Sequence, residues 1–101
     1  MVVSGNTIYG FRNGILLNGN RCVARDNVVG NDAAKATGFG FYSNGTKNIY
    51  QGNTAILLAR LGNLAASSNT NLCVNNQSLE CTTGTFANTG TANVLRDNDA
   101  I

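Results

Sequence analysis

Gly40-Phe-Tyr-Ser-Asn-Gly-Thr-Lys-Asn-Ile-Tyr-Gln-Gly-Asn53 is the stretch that decides how this chain folds. It closes on an aliphatic-x-x-x-Asn segment, Ile49 to Asn53, and that segment recurs. The other copies run Val2 to Asn6, Val23 to Asn27, Leu72 to Asn76 and Val94 to Asn98, so successive asparagines stand 21, 26, 23 and 22 residues apart. Gly19, Gly45 and Gly90 lie four residues before the aliphatic residue, with Ser68 in that place in the fourth copy. Ile15, Phe41 and Phe86 lie four residues earlier again. Asn75 competes with Asn76 for the register of the fourth copy. A fixed period in the twenties is the signature of a solenoid.

Each unit carries apolar stretches too short for helices, separated by Asn, Gly, Ser and Thr. Gly reaches positive φ cheaply, and Asn bonds its own backbone and tolerates the left-handed region, so these separators are turns. The apolar stretches read as short strands. Ala55 to Leu61, followed by Gly62, is the best helical candidate, but strand or coil is the favoured reading. No unit buries its apolar side alone; stacking the units does. The recurrent asparagines Asn6, Asn27, Asn53, Asn76 and Asn98 then form a ladder, each side-chain amide bonding its counterparts in adjacent turns.

On these residues the chain resembles the right-handed parallel β-helix repeat family, the pectate-lyase-like β-solenoids. The resemblance rests on Gly14-Ile15, Val23 and Asn27, their equivalents Gly40-Phe41, Ile49 and Asn53, and Phe86, Val94 and Asn98. It implies an all-β fold of about four to five short turns with uncapped ends. Residues 1–101 then form a single β-helix repeat domain, or a piece of a longer solenoid. Leucine-rich repeats share the period, but the pattern Leu-x-Leu-x-x-Asn is absent.

Composition removes whole classes of chemistry. Without histidine there is no Ser-His-Asp or Cys-His arrangement and no His-Glu-x-x-His zinc site. Without Cys-x-x-Cys a tetrahedral zinc site has no support, and no phosphate-binding glycine motif precedes a helix. No metal or cofactor is expected. No apolar run is long enough to span a membrane, and residues 1–6 do not read as a signal peptide. The seven basic residues are scattered along the sequence, so no nucleic-acid footprint is expected. Cys22 reads as a small buried hydrophobe, while Cys73 and Cys81 bracket a polar segment and read either as a bridged pair or as two inert thiols.

Register supplies distances. Asp26 and Asp97 occupy one column three turns apart, about 14 Å, whereas glycosidase carboxylate pairs need about 5 to 9.5 Å. The family's lyases and hydrolases imply acidic residues converging on neighbouring turns, and no such pair occurs here, so no catalytic residue is assigned. The candidate binding residues are Asp32, Lys35 and Glu80, placed by two loops, Gly30–Gly38 and Gln77–Thr83, that project from one edge two turns apart. Tyr42 and Tyr50 follow Phe41 and Ile49, which read as inward-facing, so alternation points both outward, either as ordinary surface tyrosines or as a platform for a carbohydrate. The functional expectation is a non-catalytic solenoid for assembly or binding, with a homodimer through the solenoid ends or an exposed sheet face. The alternative is a fragment or relative of a polysaccharide lyase or glycoside hydrolase.

Overall fold

The computed structural model describes residues 1–10, 13–31, 38–82 and 84–101. Its elements are all strands. The first rung holds β1 (Val2–Ser4), β2 (Thr7–Tyr9) and β3 (Asn13–Leu17). The second holds β4 (Val23–Arg25), β5 (Val28–Gly30) and β6 (Phe39–Ser43). The third holds β7 (Ile49–Gln51), β8 (Thr54–Ile56) and β9 (Arg60–Leu64). The fourth holds β10 (Leu72–Val74), β11 (Gln77–Leu79) and β12 (Gly84–Asn88), and β13 (Val94–Arg96) with β14 (Asp99–Ala100) begins a fifth. The segment Ala55–Leu61 is therefore the end of β8, a corner and the start of β9, with no helix.

Every strand pairs in parallel with its counterparts one turn away. The first sheet runs β1-β4-β7-β10-β13, the second β2-β5-β8-β11-β14 and the third β3-β6-β9-β12. The chain is a parallel β-solenoid of about four turns. The repeat read from the sequence is the rung register itself: Val2, Val23, Ile49, Leu72 and Val94 are successive partners along the first sheet.

One sequence expectation is reversed. The aliphatic column Val2, Val23, Ile49, Leu72 and Val94 faces outward, and the next residue in each copy, Val3, Ala24, Tyr50, Cys73 or Leu95, faces the core. Tyr50 is fully buried and is no surface platform. The cause is the residue in front of the aliphatic. Asn48 and Asn71 are buried, and their inward side chains set the phase of the strand that follows, so Ile49 turns out and Tyr50 turns in. Between each first-sheet strand and the ladder asparagine sits a residue at positive φ: Gly5, Asp26, Gly52, Asn75 and Asp97. That residue turns the corner and resets the alternation, which brings the ladder asparagine inward again.

Inside, Tyr50 stands edge-on between Phe41 and Phe86, with ring centroids 5.6 and 6.5 Å away. Gly62 is the partner of both Phe41 and Phe86 in the third sheet, and a Cβ there would lie 2.6 Å from the Phe86 ring. Column alternation of large and small residues thus packs the core. Gly45 and Gly90 are glycines for another reason: a Cβ on either would fall on the main-chain oxygen of the turn before, Gly19 O or Ser68 O.

The Tyr50 hydroxyl is buried without a hydrogen-bond partner, although Ser43 and Asn48 lie near it. Removing an unpaired buried polar atom while keeping the ring costs little or helps. Tyr50→Phe should leave stability unchanged or raise it by up to about 1 kcal/mol. Chemical denaturation tests this; a clear loss of stability would show that the hydroxyl has a partner.

Candidate functional site

Two asparagine ladders organise the polar interior, and the sequence reading found one of them. In the first, Oδ1 of each asparagine accepts from the previous rung. Asn27 Oδ1 takes both the backbone N–H and the Nδ2 of Asn6 at 3.0 Å. Asn53 Oδ1 does the same for Asn27, Asn76 for Asn53 and Asn98 for Asn76, at 2.9–3.1 Å. Each Nδ2 also donates to a backbone oxygen of the preceding rung: Asn27 to Val3, Asn53 to Ala24, Asn76 to Tyr50 and Asn98 to Cys73, all at 3.0 Å. This also settles the fourth-copy register, since Asn76 enters the ladder and Asn75 takes the corner.

The second ladder lies five residues earlier in the last three copies, with Cys22 in that place in the second. Asn48 Oδ1 accepts the Cys22 N–H, Asn71 Oδ1 the Asn48 N–H and Asn93 Oδ1 the Asn71 N–H, each at 2.8 Å. Their Nδ2 atoms donate to Gly19 O, Gly45 O and Ser68 O. Where the other copies have glycine, Ser68 shares its hydroxyl with Ser43 at 2.7 Å and reaches Gly45 O at 3.1 Å. The signal was in plain sight: Asn48, Asn71 and Asn93 each stand directly before the aliphatic residue of their copy.

Of the binding residues nominated by the sequence, Glu80, Tyr42 and Tyr50 are described. Asp32 and Lys35 lie outside the described residues. Glu80 is exposed at positive φ in the corner between the second and third sheets. That corner follows β11 in the fourth rung, and its counterpart in the second rung lies between β5 and β6. Gln77–Leu79, however, is strand β11, paired with β8 and β14, and is no part of a loop. It pairs because Ser78 points inward at a position where its neighbours are Ala55 and Ala100. Tyr42 is half-buried on the outer side of the third sheet, in a column with Leu16, Asn63 and Ala87.

The chemistry available is limited by these placements. Asp26 and Asp97 are separated by two intervening rungs of the first sheet, as β4-β7-β10-β13 requires. Arg60 uses its Nη1 to donate to Phe86 O at 3.0 Å, tying two rungs of the third sheet together. Among the described residues no three of His, Cys, Asp and Glu come together, and no cavity opens. The three cysteines are free thiols, with Cys22 and Cys73 buried. Compared with known proteins, the chain matches no family model, no curated protein and no solved structure.

Asn53 is the centre of the first ladder, fully buried, with its amide bonded to both adjacent rungs. Asn53→Ala strands several buried donors and acceptors, each worth about 1–3 kcal/mol. It should destabilise the fold by at least about 3 kcal/mol, against less than about 1 kcal/mol for Asn6→Ala at the exposed end of the ladder. Equal losses in urea unfolding would refute this role.

Burial pushes the Cys73 thiol from 9.0 to about 12 and the Tyr50 phenol from 10.0 to about 12. Folded-state values above the unfolded ones mean that the native chain holds these protons longer. The stabilisation is whole below pH 9 and is lost as pH climbs towards 12. The urea midpoint should fall across that window, and Cys73→Ala with Tyr50→Phe should flatten the fall.

Proposed function

We propose that this chain is a non-catalytic solenoid module that works by assembly, its end faces receiving further rungs. The observation that carries this is where the apolar surface lies. The most exposed large hydrophobic residues are Met1, Val2, Tyr9 and Leu16 in the first rung and Val94 and Ile101 in the fifth. The intervening rungs bury or half-bury theirs. Ladder valence supports the same reading. Asn6 Oδ1, which in every later rung would accept a backbone N–H, accepts none among the described residues. At the other end the Asn98 N–H, which in every earlier rung would find an Oδ1, donates to none.

These are the two halves of one interaction. A rung added beyond β13 and β14 brings an asparagine acceptor to Asn98, and a rung added before β1 brings a donor to Asn6. For the isolated chain, the available rung belongs to a second copy, giving a homodimer or longer stack through the solenoid ends. The third sheet has four strands where the others have five, so such a junction leaves a strand position open beside β12. We further read the solenoid as right-handed, the hand that parallel crossover connections favour, and as similar to the pectate-lyase-like β-helices. The ladder asparagines and the three-sheet rung support this. The polysaccharide lyase or hydrolase alternative has no comparable geometric support.

Sedimentation velocity across micromolar concentrations should show concentration-dependent association. Lysine at Ile8 or Leu95, core-facing residues left half-covered in the end rungs, should weaken it. A monodisperse monomer throughout that range would overturn the assembly reading.

A further inference from the structure

The outward turn of the aliphatic column creates a lateral surface of which the assembly reading uses only the two terminal residues, Val2 and Val94. Val2, Val23, Ile49, Leu72 and Val94 stand one above another on the outer face of the first sheet. Over four rung steps they form an apolar stripe about 19 Å long. Val2 and Val94 are at least half-exposed and the three between them partly so.

Cations line both sides of this stripe. Two residues before it, at the left-handed corner, are Arg21 and Lys47 in adjacent rungs, at φ 57° and 58°. Two residues after it, Arg25 and Arg96 occupy one column with Gln51 and Val74. The two flanking columns are at most about 13 Å apart. All four cations are exposed, and among the described residues none is in an ion pair. The fifth described base, Arg60, is committed to Phe86 O. Basic residues scattered along the sequence are therefore gathered on one face. Asp26 and Asp97 sit beyond Arg25 and Arg96 at the far corner, and among the described residues no acid stands at the Arg21–Lys47 edge.

The shape narrows the partner. In β4, β7 and β10 the strand edges are taken up by neighbours on both sides, so an extended peptide cannot add to this face through its main chain. A second copy packed face to face with strands running the same way would set Lys47 of the central rung against its own counterpart, a like-charge contact. A planar surface that accepts aliphatic tips and presents negative charge on both flanks has no such conflict. We propose that the outer face of the first sheet docks on an anionic lipid bilayer. Val23, Ile49 and Leu72 enter the headgroup boundary, and Arg21, Lys47, Arg25 and Arg96 reach out to the headgroups. This is peripheral contact and does not require a membrane-spanning segment.

Each cation brought close to an anionic leaflet strengthens binding about fivefold. The test is co-sedimentation of the chain with phosphatidylcholine vesicles, with and without phosphatidylserine. Binding is expected only with phosphatidylserine and should weaken as salt rises. Arg21→Glu with Lys47→Glu should weaken it at least about 25-fold. Ile49→Ser should weaken it while leaving charge unchanged. Circular dichroism and thermal melting confirm that each variant is folded; if Ile49→Ser fails to fold, Val23→Ser replaces it. No binding to phosphatidylserine vesicles, or binding indifferent to the charge reversal, overturns the proposal. So does binding to heparin that matches the vesicles and is unaffected by the serine substitution, which would make the face a site for soluble polyanions.

Discussion

A buried amide must have its hydrogen bonds, and this fold is built on meeting that demand repeatedly along one axis. Asn27, Asn53 and Asn76 are wholly inside, yet each finds partners in the rungs on both sides. Leaving such a group unpaired costs far more than making the bond gains. The ladder therefore does more to forbid other registers than to add net stability. A shift of one residue would put an aspartate or glycine in the interior and strand its neighbours above and below. Register, corner geometry and the facing of every first-sheet side chain follow from this one requirement.

How much of this the sequence disclosed can be traced residue by residue. Spacing between asparagines was enough for the solenoid, the rung register and the separation of Asp26 from Asp97, because stacking converts sequence period directly into vertical neighbours. Facing was read wrongly at Ile49 and Tyr50. Alternation alone gives two phases, and hydrophobicity favoured the phase that put Ile49 inside. The deciding residue was polar. Asn48 is buried because its amide closes two backbone groups of the preceding turn, the Cys22 N–H and the Gly19 carbonyl, and an expectation that polar residues face water misplaces everything after it. The column Val3, Ala24, Tyr50, Cys73 and Leu95, varied in size but uniformly apolar, was the evidence for the correct phase.

The site was less legible than the fold for a physical reason. Ladders are repetitive, so each copy reports on the others. A binding surface is made of the residues that break the repetition, and each of those is seen once. The extra sequence between Asn27 and Gly40 could be noticed, but its chemistry could not be inferred from a column. By contrast, the cations of the first sheet became a group only when the rungs were stacked, since Arg21, Arg25, Lys47 and Arg96 are far apart in the chain.

The aromatic centre has a consequence for motion. Rungs touch only their neighbours, and Phe41, Tyr50 and Phe86 concentrate the best packing in the second to fourth of them. A stack of this kind comes apart by fraying, with outer turns opening long before inner ones. Amide protons near Tyr50 should therefore outlast those near Val2 or Val94 in deuterated solvent, and the molecule should loosen from its tips inward rather than melt as one body.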